Sequence, residues 1–360
     1  MVREAVKRAH VRPEEVDEVI LGNVLSAGLG QNPARQAAIW GGLPPSVGAF
    51  TVNKVCGSAL KAVMLAAQAV KAGDCELAVA GGAESMSNAP FLVRNMRWGR
   101  KYGDAGLVDA MIFDGLWDAF NDYHMGITGE AIATKFGITR MEADEFAFRS
   151  NSRAAAAWAG GRFDEEVVPV DVPCEDGSST TFRKDECFRA DTTLEKLAKL
   201  KPAFKPDGIL TAGNSSQLSD GASAVVVASE ERAERMGAHP MARIVGYGTG
   251  GVEPERVMEA PIPTTQAVLR RAGMTVNDMD LFEHNEAYST ASIAVMRALG
   301  VDEGRFNVNG GAVALGHPIG ASGARVLTTL IYALRAAGKK RGLATLCLGG
   351  GNAVTMIVER

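Results

Sequence analysis

The chain has 360 residues, 46% of them hydrophobic and 41 of them glycine, enough to bury a large core in one to three domains. A formal net charge of -4 and a pI near 5.9 give no support for nucleic-acid binding. We expect no membrane span, since we find no apolar run of spanning length. We also expect no signal peptide, because Met1–Arg8 form a charged helical pattern.

Cysteine usage favours a reducing compartment. The chain has an odd number of cysteines and no CxxC pair: Cys56, Cys75, Cys174, Cys187 and Cys347. This pattern is typical of reduced thiols in the cytosol, so we expect a cytoplasmic protein without a structural zinc site.

Helical and strand patterns alternate over residues 1–87. A helix near 2–10 is followed by a strand at Glu18–Leu21, a helix after Cys56, and a strand at Leu77–Ala80. Such alternation predicts parallel strands joined by crossover helices, and hence an α/β fold whose N-terminal half ends near residue 87.

The pattern of helices and strands becomes irregular over residues 88–218, which we interpret as an inserted loop domain. Its last part returns to the N-terminal half, and it contains helical patterns at 129–136 and 141–159. Alternation resumes over 219–360, the expected C-terminal half, with strand Ala224–Ala228 and helix Thr264–Ala272.

A helix followed by an apolar strand and a glycine cluster occurs twice in the chain. The first copy runs from Cys56 to Gly82 and the second from Ala321 to Gly351. This recurrence predicts two duplicated βαβ halves with the insertion between them.

Cys56 has the position of a nucleophile. The run Val52–Ala62 passes from β-branched residues through small ones into an alanine-rich helix, which places Cys56 at a strand-to-helix turn. Unpaired N–H groups at the start of the helix are expected to favour the thiolate. A lone cysteine is also often a small buried hydrophobe, so this signal is weak by itself.

Two further glycine-rich stretches strengthen the indication that Cys56 is a nucleophile. Asn309–Gly323 carries His317, and Leu343–Asn352 ends a strand in Cys347 and three glycines. Each has a structural alternative, because glycine turns, loop histidines and core cysteines are common. Together they indicate a site in which backbone N–H groups can approach a developing negative charge.

These motifs, in this order and spacing, resemble those of the thiolase family, in particular its biosynthetic members. The resemblance covers nearly the whole chain and includes these further segments: Glu18–Val24, Gly30–Ala37, Gly81–Ser87, His124–Thr128 and Asn285–Ala287. It implies five alternating layers of helices and sheets. It also implies an acetyl-CoA C-acetyltransferase, which condenses two acetyl-CoA molecules to acetoacetyl-CoA and CoA or performs the reverse thiolysis.

The resemblance also implies a role for each catalytic residue. Cys56 would carry the acyl group, and His317 would take its proton and later polarise a thioester oxygen. Cys347 would be the acid and base at the α-carbon, while Asn285 would hold an oxyanion-hole water. The backbone N–H groups of Cys56 and Gly349 would form a second oxyanion hole. Coenzyme A thioesters would be the substrates, with no metal and no other cofactor.

Coenzyme A contacts are likewise implied by the resemblance. The residues expected to line the pantetheine channel are Leu116, His124, Met125, Phe204, Ala212 and Ser216. Arg189 is expected near the nucleotide phosphates, a role that suits a fixed cation. The family further implies a homodimer or homotetramer and a place in fatty acid metabolism.

Two positions depart from the family pattern. Tyr288 stands where phenylalanine is usual, and His284 where a small apolar residue is usual. We expect both beside the acyl pocket, which leaves the preferred acyl length open.

Two alternative functions follow from the same motifs. A decarboxylating ketoacyl synthase often uses two histidines, which His284 would supply, but it needs no base such as Cys347. A catalytically silent acyl-CoA-binding protein would be expected to lack at least one member of the catalytic set, and all are present.

The start of the chain gives one more expectation. The family has a strand before the point matched here by Glu14–Val19, and we expect that strand at the centre of its sheet. A missing central strand would leave backbone groups unpaired at a large cost. We therefore expect that the natural polypeptide starts upstream of Met1, or that another segment or a partner chain fills the gap.

Overall fold

The computed structural model describes residues 1–360. The helices are α1 Val2–Arg8, α2 Pro33–Trp40, α3 Ser58–Ala72, α4 Gly126–Phe136, α5 Arg140–Ala159, α6 Leu194–Ala198, α7 Glu230–Arg235, α8 Pro261–Arg271, α9 Ser289–Leu299, α10 Ala312–Leu315 and α11 Ser322–Ala336. The strands are β1 Glu18–Gly22, β2 Gly48–Val52, β3 Leu77–Ser85, β4 Phe91–Val93, β5 Leu107–Asp109, β6 Trp117–Asp118, β7 Tyr123–His124, β8 Val170–Pro173, β9 Ser179–Phe182, β10 Asp220–Ala228, β11 Arg243–Gly251, β12 Leu281–His284, β13 Arg341–Leu348 and β14 Asn352–Glu359.

Two four-stranded sheets form the frame of the molecule. The first has the order β10-β3-β1-β2, with β1 parallel to β2 and β3 and with β10 antiparallel to β3. The second has the order β11-β14-β13-β12, with β12 parallel to β13 and with β14 antiparallel to both neighbours. The expected duplication is therefore present.

The helices form three layers around these sheets. α3 and α11 pack against each other between the two sheets, where they share one apolar core. α1 and α2 cover the outer face of the first sheet, and α8 covers the outer face of the second. The five alternating layers are confirmed. The insertion contains three short hairpins, β4–β5, β6–β7 and β8–β9.

The strand that was expected to begin the C-terminal half belongs to the other half. β10 pairs with β3 along its whole length, from Asp220 opposite Ser85 to Ala228 opposite Leu77. The boundary at residue 219 is therefore wrong by one strand. An apolar strand pattern does not reveal which sheet will pair with it, so the sequence could not locate this boundary.

No central strand is missing from the first sheet. β10, β3, β1 and β2 are hydrogen-bonded neighbours without a gap. In the second sheet the first strand, β11, lies at the edge beside β14, and its counterpart would lie beyond β10. The expectation of a central gap is therefore wrong, because the position in question is an edge, where unpaired groups can face water.

We expected no apolar run long enough to span a membrane. One segment meets the criteria of length and composition for a span, so this expectation is also wrong. Val55–Ala72 has 18 residues with a mean hydropathy of 1.3, and half of this window is buried in the structure. Leu60 and Val63 of this segment are fully enclosed between the two sheets.

Candidate active site

The predicted catalytic residues meet where strands of both sheets end. Cys56 follows β2, Asn285 directly follows β12, and Cys347 is the second-last residue of β13. Gly349 opens the turn into β14, and His317 lies in the turn between α10 and α11. The carboxyl ends of parallel strands form the crevice in which α/β proteins bind ligands.

A strained turn presents Cys56. Val55 has φ +47°, which is costly for a β-branched residue, by about 1–3 kcal/mol. The Val55 N–H donates to the Asn53 side-chain oxygen at 3.0 Å. The Ser58 hydroxyl accepts from the Lys54 N–H at 2.8 Å and donates to the Val55 carbonyl at 2.6 Å. These bonds hold the turn in a conformation that the Val55 side chain disfavours.

The Cys56 thiol is neutral in the resting enzyme. Burial raises its pKa to about 12, and the backbone N–H groups of Gly349 and Cys56 offset only part of that rise. The expectation that the helix terminus would favour the thiolate is therefore outweighed by desolvation. The thiol needs a base before it can act as a nucleophile.

His317 is oriented to be that base. Its Nδ1 lies 2.5 Å from the Ser322 hydroxyl, which itself donates to the Pro318 carbonyl at 2.8 Å. A hydroxyl has one proton to donate, so it accepts from His317, and the ring proton is assigned to Nδ1. Nε2 is then unprotonated, and its lone pair accepts from the Asn285 Nδ2 at 3.3 Å.

Burial fixes the charge of this imidazole. It lowers the pKa of His317 to about 3, with a smaller contribution from the cation of Arg325. The ring is therefore neutral near pH 7. Asn285 is fully buried, and its Oδ1 has no hydrogen-bond partner within the chain. A buried polar atom without a partner is unusual in a folded protein.

Cys347 provides the second thiol. It is 2% exposed, and its Sγ lies 3.7 Å from the Met258 sulfur. Burial raises the pKa of Cys347, and the neighbouring Cys56 raises it further, which places the two thiols together. One comes from each half of the molecule, so the site depends on the packing of both halves.

Most of the expected coenzyme A residues surround this site. The His124 ring stacks on Phe204 with centroids 4.9 Å apart. Leu116 packs in the small cluster that also contacts Cys56, and its carbonyl accepts from the Met125 N–H at 2.8 Å. The Ser216 N–H donates to the carbonyl of Ala287, two residues from Asn285, at 3.0 Å.

The other two expected contacts are more exposed. Ala212 is exposed, and its carbonyl accepts from the Gln217 side chain at 3.2 Å. Arg189 is also exposed and is held through its backbone N–H, which donates to the Asn151 side chain at 2.9 Å. Its guanidinium has no hydrogen bond or ion pair within the chain, so it is available to an anionic ligand.

His284 does not face the acyl pocket as expected. Its Nδ1 lies 2.9 Å from the Ser292 hydroxyl, and its ring stacks on Phe306 at 6.0 Å. Neighbouring strand residues point to opposite faces, so His284 turns away as Asn285 turns toward His317. Burial lowers its pKa to about 3. The feature that suggested a two-histidine synthase is therefore a core histidine.

Sequence reasoning missed several residues of the site. Ser322 and Ser58 act through turn hydrogen bonds, and Met258 through a contact between distant segments. A serine at the start of a helix, five residues after a candidate base, was the only available signal for Ser322. Among His, Cys, Asp and Glu side chains, no group of three or more is arranged to hold a metal ion.

Comparisons with known proteins agree with this geometry. The family model for the N-terminal domain of thiolase matches residues 1–231, and that for the C-terminal domain matches residues 238–360. An acetyl-CoA acetyltransferase of Cupriavidus necator is 52% identical over 360 residues, covering 100% of this chain and 92% of the relative. One of Pseudomonas aeruginosa is 53% identical with the same coverage.

A solved structure matches the fold as well. The crystal structure of the Bacillus anthracis acetyl-CoA acetyltransferase has a TM-score of 0.97 and 43% identity, over 99% of this chain and 90% of that one. The fold and the paired thiols define an acyl-transferring enzyme. The chain belongs to the thiolase family.

Proposed function

We propose that this protein is an acetyl-CoA C-acetyltransferase. It joins two acetyl-CoA molecules to acetoacetyl-CoA and CoA, or cleaves acetoacetyl-CoA with CoA, through an acyl-cysteine. The observation that carries the proposal is the pairing of two thiols, the half-buried Cys56 and the buried Cys347, beside a neutral imidazole whose Nε2 is unprotonated. The relatives from Cupriavidus and Pseudomonas are acetyl-CoA acetyltransferases, which supports the same substrate.

Acylation begins at Cys56. His317 Nε2 takes the thiol proton, and the thiolate attacks the thioester carbonyl of the first acetyl-CoA. The bond from the carbonyl to the CoA sulfur breaks, and the departing CoA thiolate takes the proton back from His317. This step leaves Cys56 as an acetyl thioester and His317 neutral.

Condensation uses the other thiol. His317 takes the proton of the Cys347 thiol, and the Cys347 thiolate takes a proton from the methyl carbon of a second acetyl-CoA. The resulting enolate attacks the acetyl carbonyl on Cys56, a carbon–carbon bond forms, and the departing Cys56 thiolate takes the proton that His317 holds. Because both thiols have raised pKa values, each transfer of charge depends on groups that stabilise it.

Two sets of donors can stabilise the oxyanions. The backbone N–H groups of Cys56 and Gly349 point at the Cys56 sulfur and so lie close to its acyl oxygen. The side-chain amide of Asn285, which contacts His317 Nε2, would hold a water that donates to the thioester of the second substrate. One such donor is typically worth about 10²–10³ in rate.

Coenzyme A would enter past the ring stack of His124 and Phe204, with Leu116, Met125 and Ser216 around the pantetheine. Arg189 would pair with a phosphate, since its guanidinium is free. We further propose that the acyl groups transferred are short and that the enzyme acts in fatty acid metabolism.

The test separates the two thiols. Purified Cys56→Ser should form no acetyl-enzyme when mixed with acetyl-CoA and analysed by intact-protein mass spectrometry. Cys347→Ser should gain one acetyl group and fail to release acetoacetyl-CoA. A Cys187→Ser variant is the matched control, because that thiol lies against Ser219 and should leave both steps intact.

The same assay decides between the alternatives. A silent acyl-CoA-binding protein would bind acetyl-CoA without acylation. A decarboxylating synthase would condense malonyl-CoA but not two acetyl-CoA molecules. A Cys347→Ser enzyme that condenses at the full rate would contradict the two-thiol mechanism.

No metal is needed for this chemistry, because every acid, base and oxyanion donor is supplied by the chain or by the water beside Asn285. Activity should therefore survive exhaustive treatment with a chelator. Loss of activity that zinc restores would overturn this part of the proposal.

We also propose a cytoplasmic homodimer or homotetramer. The hairpin β4–β5 exposes large apolar side chains, with Phe91 63% and Leu107 67% accessible, and Trp98 beside them is 91% accessible. Such a patch favours a partner surface, and a second copy of this chain is the proposed occupant. Light scattering coupled to size-exclusion chromatography would give the mass, and a monomer would contradict the proposal.

A further inference from the structure

Tyr288 has a hydroxyl that nothing in the chain uses. It is 7% exposed and precedes α9, three residues after Asn285. Its phenolic oxygen makes no hydrogen bond with any residue, yet it is not sealed from solvent, unlike the Oδ1 of Asn285. The hydroxyl is therefore accessible to a small molecule rather than enclosed in packed core.

The ring of Tyr288 is held rigidly. One ring face lies against Gly129, where an added Cβ would approach the ring to 3.0 Å. Phe204 meets the ring edge-on with centroids 5.6 Å apart. The backbone is bridged to Ser215, so neither the ring nor its anchor can move away easily.

The two candidate thiols lie near this hydroxyl. Tyr288 shares a packed cluster with Cys347 and Met125. Burial raises the pKa of Tyr288, and the nearby thiols of Cys56 and Cys347 raise it further. The phenol is therefore a neutral donor close to Cys56, the residue that would carry the acyl group.

An unpaired donor in such a place discriminates between acyl groups. An apolar acyl chain that covers it strips the hydroxyl of water and gives nothing back, at a cost of about 1–3 kcal/mol. An acyl chain with an oxygen at the right position accepts its hydrogen bond. Sites that contain a buried hydrogen-bonding group reject analogues that leave it unpaired.

We propose that Tyr288 is a specificity-determining residue, and that its hydroxyl favours short acyl thioesters bearing an oxygen on the acyl carbon chain over apolar ones of the same size. Hydroxyacetyl-CoA and propionyl-CoA form the informative pair, because a hydroxyl in one replaces a methyl in the other. The inference rests on the proposed acyl transfer to Cys56.

The experiment measures acylation of Cys56 by the two thioesters separately, as kcat/KM from CoA release. For Tyr288→Phe the ratio of hydroxyacetyl to propionyl should fall about tenfold relative to the wild type. Tyr247→Phe, whose ring faces Lys71 at a distant surface, is the control and should keep the wild-type ratio. A second variant, Gly129→Ala, places a methyl group 2.6 Å from the Leu210 side chain and 3.0 Å from the Tyr288 ring; it crowds the ring while keeping the hydroxyl and should lower the ratio in the same direction.

The outcomes are distinguishable. An unchanged ratio in Tyr288→Phe, or an equal loss with both thioesters, would overturn the role in specificity. If wild-type protein is not acylated by acetyl-CoA, the proposed function itself fails. Circular dichroism and thermal unfolding identify a variant that has not folded, in which case Gly129→Ala decides.

Discussion

The hydrogen bond from His317 to Ser322 is the most informative single interaction to remove. In Ser322→Ala the buried Nδ1–H loses its only acceptor, since the hydroxyl at 2.5 Å has no substitute within the chain. A buried unpaired donor costs about 1–3 kcal/mol. The tautomer with the proton on Nε2 then becomes competitive, and in that form Nε2 cannot accept the Cys56 proton.

The expected magnitude follows directly. A factor of ten corresponds to about 1.4 kcal/mol, so the acylation rate should fall by about 5- to 140-fold. The loss should appear in kcat, with KM for acetyl-CoA little changed, because Ser322 is enclosed and does not line the substrate path. Rapid-quench mass spectrometry of the acetyl-enzyme measures this step alone.

The chain offers a matched control. Ser292 makes the same kind of bond to a buried imidazole, that of His284, at 2.9 Å, and both serines are fully buried in the first turns of helices. Ser292→Ala should lose similar stability and keep the acylation rate. Equal losses of rate in the two variants, or a normal rate in Ser322→Ala, would refute the tautomer argument.

Three further predictions concern stability and binding. Burial lowers the pKa of His284 to about 3, so below pH 6.5 the unfolded chain gains a proton that the folded one refuses, and stability falls. His284→Gln should remove about 1.4 kcal/mol per pH unit from that slope between pH 5.5 and 4, measured by urea titration; an unchanged slope would contradict it. Gly82→Ala should lower the free energy of unfolding by about 3 kcal/mol or more, because its Cβ would lie 2.1 Å from the Gly320 carbonyl; a variant of wild-type stability would show that the chain shifts freely there. Arg189→Glu should raise KM for acetyl-CoA about tenfold at low salt with a smaller effect at high salt, and a KM insensitive to the change would remove Arg189 from the phosphate site.

Local patterns predicted the elements that depend on local sequence. The alanine-rich run after Cys56 and the apolar run before Cys347 are α3 and β13 in the structure. Pairing between distant segments was not predictable in the same way. β10 reads as an apolar strand whichever sheet it joins, and its partner β3 lies more than 130 residues earlier in the chain.

The candidate site shows the same difference between features set by local sequence and contacts between distant segments. Cys56, His317 and Cys347 lie in glycine-rich turns that the sequence displays, and the structure brings them together. Met258 contacts Cys347 only because α8 and the turn before it pack on the second sheet, which no local pattern encodes. His284 could have been assigned to the opposite face from strand alternation alone, once Asn285 was placed in the site.

Two opposing effects act on the Cys56 thiol, the helix N-terminus and desolvation, and their magnitudes decide its protonation state. A helix N-terminus favours a nearby negative charge by about 0.3–1 kcal/mol, and by about 2 kcal/mol in favourable buried geometry. Burial raises the pKa of the thiol from 9.0 to about 12, which corresponds to about 4 kcal/mol against the thiolate. Desolvation therefore wins, and the resting enzyme holds an unreactive thiol. Reactivity arises only when a substrate carbonyl receives the charge and His317 receives the proton, so the bond that fixes the His317 tautomer controls the nucleophile although it never touches the sulfur.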